Sequence, residues 1–256
     1  MRLPKRPLEQ GSILGVRIDA TSYADATERV LGWAGRGESC YVCCAAVNNV
    51  MEALRSPDYR VVMDQADLVT SDGMPLVWML RRLGARSATR VYGPDLMGLL
   101  LEAAGDTGIR VGFYGGTEAV LAGLVSRVIH RFPRLHVAYA EAPPFRAITP
   151  EEDRRTIQAI RDAGVRILFV GLRSHKQDRW MHAHKDRVPA VMLGVGAAFD
   201  FLAGSKPQAP NWMQVSGLEW VFRLATEPRR LWRRYLTQNP KFVLLAVAQL
   251  LKARTR

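Results

Sequence analysis

A chain of 256 residues, 48% of them apolar, is long enough to bury one sizeable core and too apolar to remain disordered. Its 36 Lys and Arg against 24 Asp and Glu leave a formal charge of +12, which points to anionic partners: phosphorylated substrates, an anionic membrane or nucleic acid. Three cysteines exclude a disulfide framework in a reducing compartment, and no run approaches the roughly 20 apolar residues of a membrane span. The start, MRLPKRPLEQGS, is basic but lacks the apolar core of a signal peptide, so a cytoplasmic product is expected.

In chain order, the first apolar run reads as a strand over 13–18 and the second as a strand over 41–47. The second holds Cys43 and Cys44, with Cys40 just before it. A structural zinc needs about four ligands, and no matching Cys or Cys/His pair stands elsewhere, so SCYVCCAAV reads as a buried strand. Asn48 and Asn49 follow it. Asp64 and Asp67 read as helix surface, and there is no acidic D-x-D pair of the kind that holds a divalent metal in many nucleotide-sugar enzymes. Next, Thr70-Ser71-Asp72-Gly73-Met74-Pro75 puts a carboxylate in a turn before a helix-like run. That carboxylate either caps the helix or serves as a general base.

A strand over 110–114 leads into Gly115, Gly116 and Thr117. A helix follows, on which Leu121, Leu124, Val125, Val128, Ile129 and Phe132 form one apolar stripe. Glycines before a helix N-terminus suit a phosphate, although such a turn often merely reverses the chain. It is neither a G-x-G-x-x-G nor a P-loop, so nicotinamide and P-loop chemistry lack their usual support, and no G-x-S-x-G elbow anchors a hydrolase triad. After a strand over 136–139, Thr149, Pro150 and Glu152 open a second helix through a capping box, and it stops at Gly164. A strand over 166–170 meets the loop 171–177, and a strand over 190–195 meets the loop 194–200. His182 and His184 stand two apart, so a helix splays their side chains and no metal site is expected. Strand–helix–strand units of this length imply an α/β fold, a Rossmann-like and mostly parallel sheet flanked by helices, with ligands beyond the C-terminal strand ends.

The last fifty residues differ. From Arg223 onward come Arg229, Arg230, Arg233, Arg234, Lys241, Lys252, Arg254 and Arg256, with Glu227 the sole acid. Trp220, Phe222, Trp232, Tyr235 and an apolar run over 242–248 are interleaved. Such a segment suits lying on an anionic membrane, and equally a terminal helix packed on the domain with an exposed basic face. No recognised nucleic-acid module surrounds these charges. The division read from the sequence is therefore 1–205 as catalytic domain and 206–256 as a basic, helical, membrane-associating appendage.

These segments together resemble the WecG/TagA/CpsF family of bacterial glycosyltransferases. The landmarks AAVNNVMEA, DLVTSDGMPLVW, RVYGPDLM, VGFYGG, FPRLHV, ILFVGLRSHKQDRWM, GVGAAFDFLAG, QAPNW and GLEWVFRLATEPRRLWRRY occur in that order. The resemblance implies an inverting, metal-independent transfer, without cofactor, from a UDP-sugar to an undecaprenyl-diphosphate-linked sugar at the inner face of the cytoplasmic membrane. The products are cell-surface polysaccharides: exopolysaccharide, capsule, teichoic acid linker or common antigen. It implies Asp72 as general base, Asn48 in the same pocket, Arg90 against the diphosphate and Gln177 in the loop the family writes P-K-Q-E. Gly115, Gly116, Thr117, Gly171, Arg173 and Lys176 would lie against the nucleotide. The chain departs from the family where Ala46 replaces a threonine, where Arg173 to Asp178 replace G-x-P-K-Q-E and where Gln208-Ala209-Pro210 replaces R-A-P; Arg173 and His175 add cationic donors to the nucleotide loop. A non-catalytic membrane- or nucleic-acid-binding protein and a degenerate family member are the alternatives. The tail either covers its own subunit or packs on a neighbour, which leaves a homo-oligomer open.

Overall fold

The structure, a computed structural model, describes residues 8–254; the basic residues before Leu8, and Arg256 of the tail, lie outside them. The expected strand over 13–18 is instead a hairpin. β1 (Glu9–Ile13) and β2 (Val16–Ala20) pair antiparallel, and Leu14 and Gly15, with φ of 51° and 80°, make the turn between them. Two positive φ values suit the tight turn that joins right-twisted strands. Ile13, Val16 and Ile18 all reach the core, so the apolar letters run on through a reversal that leaves no gap in the pattern.

α1 (Tyr23–Arg36) starts where Ser22 accepts the Asp25 N–H and ends at left-handed Gly37. There follow β3 (Cys40–Ala45), α2 (Val47–Ala53), α3 (Pro57–Asp64), β4 (Leu68–Ser71), α4 (Met74–Arg82) and α5 (Gly93–Thr107). β5 (Val111–Gly115), α6 (Glu118–Arg131), β6 (Val137–Glu141), α7 (Pro150–Asp162), β7 (Ile167–Gly171), α8 (Lys176–His184) and β8 (Val191–Gly194) continue the alternation. α9 (Ala198–Leu202), α10 (Asn211–Val215), α11 (Glu219–Thr226) and α12 (Pro228–Arg254) close the chain. The capping box at Thr149 and Glu152 forms as the sequence predicts. Asp67 does not lie on a helix surface. It follows α3 and accepts the Tyr41 N–H at 2.9 Å and the Lys185 ammonium at 3.0 Å, which ties the start of β3 to the end of α8.

Six strands form one sheet in the order β4-β3-β8-β7-β5-β6, every pairing parallel. Alternate residues serve two cores. Tyr41, Cys43, Leu168, Val170 and Met192 face the hairpin, α2, α3, α4, α7, α8 and α12. Val42, Ile167, Phe169, Val191 and Leu193 face α1, α5, α6 and α9. Burial on both faces is why these strands read as unbroken apolar runs. The fold is the Rossmann-like α/β sandwich expected. Cys40 and Cys43 are buried on β3, and burial pushes their thiols up, Cys40 to about 12, so they pack as small apolar groups.

β4 is an edge strand, and its open side is covered. Val69 donates to the buried Asp19 carboxylate of β2 at 2.7 Å, and the segment before α5 runs alongside, with Val91 N–H donating to Ser71 O at 2.9 Å. α12 packs back on the same half of the molecule: Phe242 and Ala246 are buried in the core with α2 and α4, and the Gln249 amide bonds Leu14 N and Ser12 O. Pro240 stands inside α12 and removes the bond to the Leu236 carbonyl, between a basic first half and an apolar second half.

Candidate active site

Every loop singled out by the sequence sits at the C-terminal edge of the sheet, because a right-handed crossover returns the chain to the same edge each time. The strand order divides them. Asn48 follows β3 and Asp72 follows β4, whereas Gly115 ends β5 and Gly116 and Thr117 follow it, four positions away from β4, or about 19 Å at 4.8 Å per strand. The loop from Gly171 lies between them.

Asn48, Asp72 and Arg90 line one cavity of 480 Å³. Asp72 follows the last residue of β4, and its N–H is held by Ala45 O at 2.8 Å. It does not cap α4, whose N-cap is Gly73; instead its Oδ1 accepts the N–H of Gly93, in the first turn of α5, at 2.7 Å. The carboxyl is pushed up to about 7, first by burial and then by the Glu219 carboxylate; the Gly93 N–H, Arg90 and Arg223 oppose this. A carboxylate poised near neutrality can take a proton and return it at working pH.

Arg90 leaves the strand-like segment beside β4 and turns its guanidinium across the mouth. Nε donates to Asp72 O at 2.6 Å, Nη1 to Gln214 Oε1 at 3.0 Å and Nη2 to Glu219 Oε2, and the group lies 4.1 Å from the centre of the Tyr92 ring. Tyr92 also donates to Glu219, at 3.1 Å. Arg90 is thus engaged by α10 and α11, and Glu219 holds the position in which an anion would meet it. Two tail cations stand at the same mouth. Arg223 faces Asp72, Glu219, Tyr92 and Tyr235, and these negative or ionisable neighbours raise its pKa although burial opposes them. Arg234, 5.0 Å from the centre of the Tyr235 ring, keeps a buried Nε with no partner.

Glu219, Arg223, Arg234 and Gln214 are absent from the sequence-derived site. The sequence marks GLEWVFRL as a landmark and the tail arginines as a collective source of positive charge for a departing UDP, without singling out any of them. The available signal is helical spacing: Glu219 and Arg223 are four apart, and Tyr235, Gln238 and Phe242 recur at three and four, so one face of each helix turns inward.

The residues that the resemblance sets against the nucleotide are placed differently. Gly115, at φ 132°, packs so closely that an added Cβ would come within 2.6 Å of the Gly171 carbonyl carbon, and a Cβ on Gly171 would enter the Phe199 ring at 2.4 Å. Gly116 spends its N–H on Gly171 O at 3.1 Å, and Thr117 caps α6 by accepting the Val120 N–H. The two loops are clamped together, and glycine is required there for backbone approach. Arg173 and Lys176 are exposed at the head of α8. Gln177 is buried against Gly194 and Gly196, its Oε1 without a partner. Asn48 connects the two regions by donating to Ser174 Oγ at 3.0 Å, while its neighbour Asn49 is locked into a buried network with Tyr59 and Asp178. His175, at φ 71°, packs edge-on to Tyr59, and burial lowers its pKa, so the ring is held neutral and does not supply the cation expected of it.

Among the described residues, no three His, Cys, Asp or Glu side chains converge to hold a metal ion. His182 turns to the Tyr41 hydroxyl and His184 to Asp153, as an i, i+2 pair on a helix must.

Comparison with known proteins adds to this geometry. The family model described as "Glycosyl transferase WecG/TagA/CpsF family" matches residues 11–256. A Bacillus spizizenii protein named N-acetylglucosaminyldiphosphoundecaprenol N-acetyl-beta-D-mannosaminyltransferase is 30% identical over 230 residues, 89% of this chain and 86% of its own. The Bacillus subtilis protein of the same name is 30% identical over 200 residues, 77% and 75% of the two chains. The match runs through α11 and α12, which line the cavity together with Asp72, and the chain belongs to the WecG/TagA/CpsF family and is a glycosyltransferase.

Proposed function

We propose that the enzyme moves a sugar from a UDP-sugar to a sugar carried on a polyprenyl diphosphate, in one inverting step without a metal ion. The acceptor class follows the names of the two Bacillus relatives, which also make N-acetylmannosamine the first donor sugar to test. In that step the acceptor hydroxyl oxygen bonds to the anomeric carbon as the bond from that carbon to the UDP oxygen breaks, and the hydroxyl proton passes to Asp72. Attack opposite the leaving group inverts the anomeric centre. The observation that carries this reading is Asp72 itself: a carboxylate with its pKa near 7, at the floor of a cavity rimmed by Arg90, Arg223 and Arg234.

Arg223 and Arg234 are the cations with capacity left for phosphate, and N–H groups at helix N-termini add donors. Arg90 orders the tail over the base. Asn48 and Ser174 join the acceptor side to the loop at Gly171, along which the UDP moiety would extend toward Gly115 and Gly116; Gln177, Arg173, Lys176 and Thr117 belong to that half. Residues 1–205 then carry the chemistry, and 206–256 cover it and rest on the membrane. Trp212, Trp232, Leu236, Leu244 and Leu251 are exposed on that tail among arginines, and no helix among the described residues is long and apolar enough to cross a bilayer.

Calorimetric titration with UDP, with and without EDTA, followed by turnover of UDP-N-acetylmannosamine on an N-acetylglucosaminyl polyprenyl diphosphate, tests the reading. Micromolar UDP binding that ignores EDTA, and a product of inverted anomeric configuration by NMR, are expected. Transfer that requires a divalent cation, or a retained configuration, would overturn the mechanism. A chain that neither binds UDP nor turns over with acceptor present would overturn the function.

A further inference from the structure

The cavity that holds Asp72 continues past its polar mouth into an apolar trough. One wall is α4, with Trp78 and Met79, and the other is α12, with Phe242, Val243 and Val247. Trp78, Val243 and Val247 are 47%, 57% and 50% exposed, so large apolar side chains stand open to solvent directly beside a charged site. Along α12 the lining changes character once. Arg234, Gln238 and Asn239 come first; from Phe242 to Leu250 every lining residue is apolar, a run of about 12 Å at 1.5 Å per residue.

This pattern selects its occupant. Beyond Asn239 the α12 wall has no polar side chain in the lining, and its helical backbone groups bond one another. A nucleobase or peptide lying there would find no polar side chain on the α12 wall to pair with on the side it buries. A hydrocarbon chain has none to pair. At the junction, Arg223 faces Asp72, and the buried Arg234 Nε lacks an acceptor. The cavity is therefore complementary to a molecule whose anionic phosphates join directly to a long apolar chain.

We propose that the trough between α4 and α12 binds the first isoprene units of the polyprenyl diphosphate acceptor, with the diphosphate at Arg223 and Arg234 and the chain leaving past Val243 and Val247 toward Leu250. This rests on the function proposed above and assigns the lipid its own subsite. The chain is then recognised by contact with protein, and its binding contributes to affinity even away from a bilayer.

The test uses the full chain in detergent micelles with two acceptors that share an N-acetylglucosaminyl diphosphate head, one on a short water-soluble alkyl chain and one on a polyprenyl chain. The wild type is expected to show a KM about ten-fold lower or more for the polyprenyl acceptor, the worth of a few buried methylenes. Val247→Asp and Val243→Asp are each expected to shrink that ratio toward one. Val61→Asp, at an equally exposed valine on α3, is expected to preserve it, and thermal melting identifies any variant that has lost its fold. Transfer to both acceptors with equal KM, or a ratio that survives both trough substitutions in folded protein, would overturn the trough and leave the function standing. Absence of transfer to either acceptor by the wild type would overturn the function, and the trough with it.

Discussion

Asp72 sits where two demands conflict. Its carboxyl is half-buried and next to Glu219, so the folded protein holds its proton more tightly than the unfolded chain does. A raised carboxyl pKa favours the folded state below the unfolded value, and that contribution is lost as pH rises toward about 7. Asp72→Asn keeps an oxygen for the Gly93 N–H and removes the charge. It is expected to cut turnover by about 10²–10⁴-fold and to leave UDP affinity nearly unchanged by calorimetry. The same variant is expected to raise the melting temperature at pH 8 and to change it little at pH 4; the reverse order would contradict the burial of a charge there. Turnover in the wild type should rise with pH through about 7 as the base ionises. Glu219→Gln removes the negative neighbour, and Arg90 and Arg223 then act on Asp72 with less opposition. The acid limb of the kcat/KM profile should therefore move to lower pH, and an unmoved limb would show that Glu219 and Asp72 are not coupled.

Among the elements, the clamp between the loops after β5 and β7 is the least tolerant. Gly115 holds a left-handed φ, and its neighbour across the clamp is backbone, which cannot swing aside. Gly115→Ala is expected to cost about 2 kcal/mol or more in urea denaturation and to weaken UDP binding, whereas Gly98→Ala, which meets nothing on α5, should be neutral or stabilising. Much of this level was legible. The capping box at Thr149, the stripe along α6 except for Ile129, which stands exposed, and five of the six core strands follow from periodicity and caps alone. β4 was not, because four buried residues, Leu68 to Ser71, end in two hydroxyls and lack a strand's usual length. The hairpin was hidden because its turn keeps Ile13, Val16 and Ile18 on one side.

For the whole molecule, the tail does two things with one helix. Phe242 and Ala246 pack inward, Val243 and Val247 line the cavity, and Leu236, Leu244 and Leu251 remain outside with the arginines. Sedimentation with anionic vesicles is expected to retain the protein at low salt and release it progressively as salt screens the arginines. Replacing Trp232 and Leu244 together by Ser should weaken retention at every salt concentration, and unaltered retention would remove this face from the membrane contact.

The parallel α/β class, the C-terminal edge as the place for ligands, and the family itself are determined by the sequence alone, since strands covered on both faces show as apolar runs and the landmarks keep their order. The sequence also singles out Asp72, which the structure places in one cavity with Asn48 and Arg90. What the tertiary structure decided is which of the remaining residues meet. Strand order, set by crossovers that local pattern does not encode, put Asp72 and Gly116 four strands apart. Packing of α11 and α12 brought Glu219, Arg223 and Arg234 to the cavity of Asp72, turning charges that composition reads as surface into its wall, because a helix face takes its meaning from what lies opposite it.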